Sequence, residues 1–558
     1  MEAINKWKNF IGLDPELKSE LASLNEEELR DAFYTSLGFG TGGMRGIMGV
    51  GTNRMNIYTL RKANYGYGKF ILNRYQNPSV VIAYDTRHQS FDFAKESAKV
   101  LATLGIKAYL FASPTPTPVL SFAIRYMKAS GGAVITASHN PPMYNGYKIY
   151  DADGCQLVPD LADEVIALIN EVEDLFAIEV RDFDDLMNQG MIAYAPDEIY
   201  DEYFKQVKQI SVFPRLDKNN FKIVFTPLHG TSAILGERLL KELGYQYVVV
   251  EEQMIPDPNF STVSYPNPED PKAFDYAIKY AKETQADICI ATDPDADRVG
   301  VAILDHDEYK LLTGNQTGAI LLYYLTNHRQ FDQPGVVFNT IVTSDIGAKI
   351  ARSKGLEVVS TLTGFKFIGE QAKLLEGTNK KFFFGYEESY GYVISDFVRD
   401  KDSLQALLLC TEVSNYYKQQ NKTLLDVLEE IYQKFGYYQD ALMSIDLAGE
   451  AGAKQIQAIL NHFRTGEYTD FGKYRVICKE DYLLQERYKL GVMSTIALPK
   501  SNVIKYYLDD GSWFAFRPSG TEPKMKIYLS TVATSLQLAN KKVDELKKIL
   551  LEIVKKVG

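Results

Sequence analysis

Three stretches of the chain repeat one alternation of apolar runs and polar loops. They are VVIAYDTRHQSFDFAKESAKVLATLGIKAYLF (80–111), FKIVFTPLHGTSAILGERLLKELGYQYVVV (221–250) and GVVFNTIVTSDIGAKIARSKGLEVVS (335–360). Each opens on a β-branched apolar run and passes through a polar loop ending in Ser, Thr or Asp, which caps a helix start. Each helical stretch then stops at Gly105, Gly244 or Gly355, where a left-handed cap suits glycine. Strand, helix and strand joined this way predict parallel βαβ units, and three of them predict three related α/β domains. The last part of the chain follows a different grammar. GEAGAKQIQAILNHFRTG and SLQLANKKVDELKKILLEIVKKV read as helices, and WFAFRPSGTEPKMKIYLS as strand, loop and strand. A smaller C-terminal α+β domain is expected there. Boundaries are placed at 1–210, 211–312, 313–432 and 433–558, with linkers near 211–220, 305–315 and 432–440.

At 558 residues the chain has room for roughly three to four domains of about 150 residues each, in keeping with that division. Lys+Arg 61 against Asp+Glu 72 leaves a net charge of −11, so the overall field repels nucleic acid and anionic membranes. The N-terminal stretch is amphipathic and acidic, without the apolar core of a signal peptide. Cys155, Cys289, Cys410 and Cys478 are far apart in sequence and form no CxxC pair; buried thiols are expected rather than disulfides or metal ligands. These features predict a soluble, cytoplasmic protein without nucleic-acid or membrane partners; a monomer or weak homodimer is expected, although no sequence feature fixes the oligomeric state.

Four segments concentrate reactive chemistry. In ITASHNPPMYNGYKIYD (135–151) an apolar strand delivers Ser138 and His139 into a Pro-Pro loop that cannot be helical. Asn145-Gly146 reads as a tight turn that returns Lys148 towards the hydroxyl. A hydroxyl beside a histidine and a lysine is the layout of an activated nucleophile. In ICIATDPDADRVGVAI (288–303) Asp293, Asp295 and Asp297 lie on alternate residues, so three carboxylates can converge on one cation if the segment is extended. All-oxygen ligation suits Mg²⁺. A calcium EF-hand loop is excluded, since Arg298 and Leu304 stand where Gly and Glu are needed. In FFFGYEESYGYVISDFVRDKDS (382–403) Glu387, Glu388 and Ser389 suit hydrogen bonding to sugar hydroxyls, while Arg399-Asp400-Lys401-Asp402 reads as a charged helix start. In FRPSGTEPKMKIY (516–528) Arg517, Ser519, Gly520 and Thr521 combine a guanidinium fork with hydroxyls and a flexible backbone, a phosphate nest. Gly38, Gly40 and Gly43 match G-x-G-x-x-G, but a helical stretch precedes them, so dinucleotide binding is unsupported. IATDPDA also resembles the loop of aspartyl-phosphate phosphatases, a reading that leaves the Ser138 and Arg517 segments unexplained.

Taken together and in order, TASHNPPMYNGYKIY, TDPDADR, GYEESYGY and RPSGTEPK resemble the four active-site loops of the α-D-phosphohexomutase superfamily, with FGTGGMRGIMG matching near the start. The resemblance implies a heart-shaped, four-domain α/β enzyme. Ser138 would be the phosphoserine, and Asp293, Asp295 and Asp297 would hold Mg²⁺ against its phosphate, which completes the metal's ligands. Arg298 would sit beside them, with His139 and Lys148 handling protons or balancing charge and Arg45 approaching the same phosphate. Glu387 and Ser389 would grip sugar hydroxyls, Gly364 and Lys366 would contact substrate from TLTGFKFIG, and Arg517, Ser519, Gly520 and Thr521 would hold the non-reacting phosphate. The implied reaction interconverts α-D-glucose 1-phosphate and glucose 6-phosphate, with glucose 1,6-bisphosphate as intermediate and activator. Gly385-Tyr386-Glu387 departs from the more usual Gly-Glu-Glu, and the long chain resembles a branch that includes phosphopentomutases. Ribose phosphates and mannose phosphates are therefore alternative substrates, and a non-catalytic phosphosugar-binding relative is the alternative of a different class.

Overall fold

A computed structural model describes residues 2–40, 43–447, 449–518 and 524–557. The chain divides into two compact units, one made of Met1–Gly314 with Phe365–Thr423, the other of Asn315–Gly364 with Leu424–Gly558.

The first unit holds two sheets that share the predicted grammar. Strands β1 (Gly43–Ile47), β2 (Ser79–Tyr84), β3 (Lys107–Leu110), β4 (Gly131–Ile135), β5 (Tyr144–Tyr150) and β6 (Ile192–Tyr194) lie side by side in the order β1-β5-β4-β2-β3-β6. The first βαβ stretch forms β2, the helix Ser90–Thr103 and β3, and its strands are parallel. Strands β7 (Lys222–Thr226), β8 (Gln246–Val249), β9 (Ile288–Thr292), β10 (Val299–Asp305) and β11 (Glu308–Leu312) make the second sheet, in the order β11-β10-β9-β7-β8. There β7, the helix Ser232–Leu243 and β8 form the second parallel βαβ unit. Central strands β4 and β9, each parallel to one neighbour and antiparallel to the other, are buried along their whole length, as strands of a sheet covered on both faces are. The same unit includes the antiparallel pair Lys381–Tyr386 and Tyr392–Val393.

In the second unit, strands Gly335–Thr340 and Glu357–Thr361 flank the helix Asp345–Ser353 and pair in parallel, the third predicted βαβ unit. All three predicted helix stops are left-handed, with φ of +91° at Gly105, +78° at Gly244 and +75° at Gly355. The C-terminal part of this unit is an antiparallel sheet containing Tyr437–Asp446, Tyr474–Asp481, Ile504–Leu508, Trp513–Pro518 and Lys524–Ala533, extended by the hairpin Glu486–Lys489 and Val492–Thr495. Helices Gly449–Thr465 and Leu536–Val557 cover it, seating Ile459, Leu460, Phe463, Leu546 and Leu550 in one apolar core. The predicted linker at 211–220 carries no helix or strand, but the one at 305–315 contains β11, hairpin-paired to β10.

All four cysteines are buried free thiols. Among the described residues no helix is long and apolar enough to cross a membrane.

Candidate active site

Ser138 follows the C-terminal end of β4 in a left-handed backbone conformation, φ +52°. Such a conformation costs a non-glycine residue about 1–2 kcal/mol. Its amide donates to Thr136 Oγ1 at 2.8 Å, and Arg87 donates to its carbonyl. With the backbone so held, Ser138 Oγ donates to Asp293 Oδ2 at 2.8 Å and lies 3.2 Å from His139 Nδ1. The Asn145-Gly146 turn is not observed. Both residues lie inside β5, and the chain reverses earlier, over Ser138–Met143. Gly146 is needed there for close packing, since a Cβ would lie 2.6 Å from Thr136 O and 2.8 Å from Met44 O. Lys148 still arrives as expected, on the strand that returns beside β4.

Asp293, Asp295 and Asp297 follow β9, and one oxygen from each lies within 4.8 Å of the others. A tight turn produces this convergence, not an extended strand. Ala296 is left-handed at φ +57°, and the amides of Asp297 and Arg298 both donate to Asp293 Oδ1 at 2.9 Å. All three aspartates are buried. Lys148 Nζ lies 2.9 Å from Asp295 Oδ2 and 3.5 Å from Asp297 Oδ2, and Lys401 Nζ lies 3.0 Å from Asp297. Arg298 approaches Asp297 at 3.8 Å and pairs with Glu269.

The surroundings split the acidities of the three carboxyls. Burial, followed by repulsion from its two neighbours, holds Asp293 well above the usual carboxylate range. Burial and the neighbouring Asp297 also oppose charge on Asp295, but Lys148 together with a hydrogen bond to Asp293 outweighs them and the group falls below its ordinary value. Asp297 is likewise buried, yet Lys401, Lys148 and Arg298 hold it far below. Burial and the adjacent Arg298 and Arg45 push His139 well down, so its imidazole is neutral near pH 7.

Asp295 Oδ1 and Asp297 Oδ1 are buried without a hydrogen-bond partner. Buried carboxylate oxygens are rarely left so, and an all-oxygen donor set with two free oxygens fits a hard divalent cation.

The other candidate residues stand as follows. Arg45 lies on β1 opposite Gly146, and its guanidinium donates to Asn140 Oδ1 at 2.9 Å. Glu387 is buried just beyond the strand Lys381–Tyr386, with Ser389 half-buried two residues on. Gly364 has φ +113°, and Lys366 is buried in the first turn of the helix Phe365–Lys373. Arg517 lies on the strand Trp513–Pro518, opposite Lys526. Ser519, Gly520 and Thr521 lie outside the described residues.

Lys401 is a site residue that the sequence reading missed. The charge run does start a helix, with Asp402 accepting from the amides of Leu404 and Gln405, but Lys401 turns away to Asp297. Glu269 and Arg87 were missed as well. No local pattern marks residues whose partners are 29 and 51 positions away.

Comparison with known proteins fits this geometry. Residues 36–175, 201–306 and 313–435 match the family models for phosphoglucomutase/phosphomannomutase α/β/α domains I, II and III. A phosphoglucomutase of Staphylococcus aureus strain MRSA252 is 41% identical over 507 residues, covering 90% of this chain and 91% of the relative. Among solved structures, the open form of the Paramecium exocytosis-sensitive phosphoprotein pp63/parafusin, a phosphoglucomutase, superposes with a TM-score of 0.68 at 17% identity, covering 94% of this chain and 96% of that one. A Burkholderia thailandensis phosphoglucomutase/phosphomannomutase family protein gives 0.67 at 18% identity, covering 93% and 98%. At these identities the structural likeness speaks for the fold.

Proposed function

The chain belongs to the phosphoglucomutase/phosphomannomutase family of isomerases, and we propose that it interconverts α-D-glucose 1-phosphate and glucose 6-phosphate through a phosphorylated Ser138. The observation that carries this reading is the 2.8 Å contact between Ser138 Oγ and Asp293, inside a cluster whose two unpartnered carboxylate oxygens suit a cation. Asp293, Asp295 and Asp297, with the phosphate on Ser138, would hold Mg²⁺. When bound, Mg²⁺ would neutralise charge on the transferring phosphoryl group.

A phosphoserine carries close to two negative charges at neutral pH, so the surrounding cations matter. Arg45, Lys148 and Arg298 offset that charge and orient the phosphoryl group, and positioning with charge neutralisation is most of what phosphoryl transfer requires. His139, neutral and within reach of Ser138 Oγ, can take the serine proton when the phosphoryl group returns. Glu387 and Ser389 are assigned to the sugar hydroxyls, and Gly364 with Lys366 to the substrate. Arg517, Ser519, Gly520 and Thr521 are assigned to the non-reacting phosphate. Glucose 1,6-bisphosphate is then the intermediate that reverses its orientation between the two transfers. The domains 1–210, 211–312, 313–432 and 433–558 would supply the serine, metal, sugar and phosphate loops in turn.

The deciding experiment compares turnover of glucose 1-phosphate and ribose 1-phosphate, each with Mg²⁺ and a trace of its bisphosphate, against Ser138→Ala. Preference for glucose, abolished in the variant, is the expected result. Preference for ribose, or conversion of mannose 1-phosphate alone, moves the substrate and leaves the chemistry in place. Equal rates for wild type and variant sink the reading and leave a phosphosugar-binding role.

A further inference from the structure

The loop Asp85–Gln89, between β2 and the helix Ser90–Thr103, carries none of the residues given a role in the proposed reaction, yet it touches both halves of the reactive cluster. Arg87 has a fully buried side chain, paired with Asp85 at 3.2 Å. Its guanidinium spends its hydrogens on backbone carbonyls of the serine loop. One terminal nitrogen donates to Ser138 O and Asn140 O, both at 2.5 Å, and the other to Pro141 O at 2.9 Å and Tyr144 O at 3.3 Å. On the opposite side, Thr86 Oγ1 donates to His229 O at 2.8 Å, and the ring of Phe260 lies 4.9 Å from the Arg87 guanidinium. The segment containing His229 also supports the carboxylate turn, because the amide of Thr231 donates to Pro294 O at 2.8 Å. One loop thus sets the nucleophile's backbone and the aspartate turn in register.

We propose that Arg87 is a positioning residue for phosphoryl transfer: its guanidinium fixes the serine-loop backbone and so holds Ser138 Oγ against Asp293. This rests on the phosphoserine reading of Ser138. A planar fork with five donors can serve several carbonyls at fixed angles, whereas an ammonium cannot reproduce that geometry. Without it, the left-handed backbone at Ser138 loses the donor to its own carbonyl and relaxes. Arg87 spends these hydrogens on main-chain oxygens, so its loss should slow transfer rather than weaken sugar-phosphate binding.

The test compares wild type, Ser138→Ala, Arg87→Met, Arg87→Lys and Arg87→Ala with glucose 1-phosphate and Mg²⁺. Displacing the nucleophile by about 1 Å can cost about 100-fold, so Arg87→Met is expected to lose about that much kcat, with KM within about threefold. Arg87→Lys should recover about tenfold of the loss. Guanidinium chloride at low millimolar concentration should raise the Arg87→Ala rate, and methylammonium chloride should not. Wild-type kcat in Arg87→Met, while Ser138→Ala is inactive, overturns the proposal alone. A loss expressed in KM, or rescue by both cations equally, also overturns it. Absence of Ser138-dependent turnover in wild type overturns the proposal together with the phosphoserine reading. If Arg87→Met does not fold, Arg87→Lys decides: a kcat about tenfold below wild type with unchanged KM supports the proposal, and full activity refutes it.

Discussion

Replacing Lys401 with methionine should move stability and cation affinity in opposite directions. Asp297 has three cationic groups within reach, Lys401 at 3.0 Å, Lys148 at 3.5 Å and Arg298 at 3.8 Å. Breaking a buried ion pair by deleting one partner costs about 3–5 kcal/mol. Because Lys148 and Arg298 remain, the expected loss in EDTA is smaller, about 2–3 kcal/mol. A dication at the three carboxylates is repelled by the same ammonium. At an effective dielectric of about 20 and a separation of about 6 Å, the repulsion is about 5 kcal/mol. Solvent relaxation removes most of it, and the remaining 1–2 kcal/mol corresponds to roughly tenfold tighter binding. Isothermal titration with Mg²⁺ and urea denaturation in EDTA read the two effects separately. A Lys401→Met protein that binds Mg²⁺ no more tightly than wild type would refute the electrostatic reasoning, whatever happens to its activity.

Two other outcomes follow from local geometry. Burial pushes the Asp440 carboxyl up to about 6, against hydrogen bonds from Ser530, Asn315 and Ser344 that favour its charge. A raised carboxyl pKa favours the fold below the unfolded value near 4, and that benefit is lost as pH rises through about 6, a change of up to about 3 kcal/mol. Asp440→Asn should flatten this loss in urea titrations between pH 4 and 7 that follow Trp513 fluorescence in a Trp7→Phe background; an unchanged slope would count against it. At Gly230 a Cβ would lie 2.5 Å from Pro294 Cα and 2.7 Å from Pro294 O, so Gly230→Ala must displace the backbone between Asp293 and Asp295. It should cost about 1–3 kcal/mol and weaken Mg²⁺ binding measurably by titration. Unaltered affinity would show that the turn tolerates the shift.

How far the sequence revealed this arrangement depended on whether the signal was local. The βαβ units and their glycine stops were legible, because apolar strand runs and left-handed glycines are properties of neighbouring residues; the expected side-chain caps do not form, since Gln89, Thr231 and Ser344 precede the three helices without a capping side-chain hydrogen bond. The gathering of Asp293, Asp295 and Asp297 was anticipated, but its cause was misread, since a left-handed Ala296 and two amides on Asp293 bring the carboxylates together. Asn145-Gly146 looked like a turn by composition, yet the strand needs glycine there for close backbone approach. Arg87, Glu269 and Lys401 were invisible for a different reason. Each acts through a partner distant in sequence, and nothing in the surrounding residues announces which one it will meet.

The central claim is that Ser138 carries the phosphoryl group. Incubating the protein with Mg²⁺ and glucose 1,6-bisphosphate, then mapping phosphopeptides by mass spectrometry, tests it directly. The account predicts one phosphoryl group on Ser138 that unlabelled glucose 1-phosphate removes, and none on Ser138→Ala. Turnover with no phosphate on Ser138, or label that substrate cannot discharge, would contradict it.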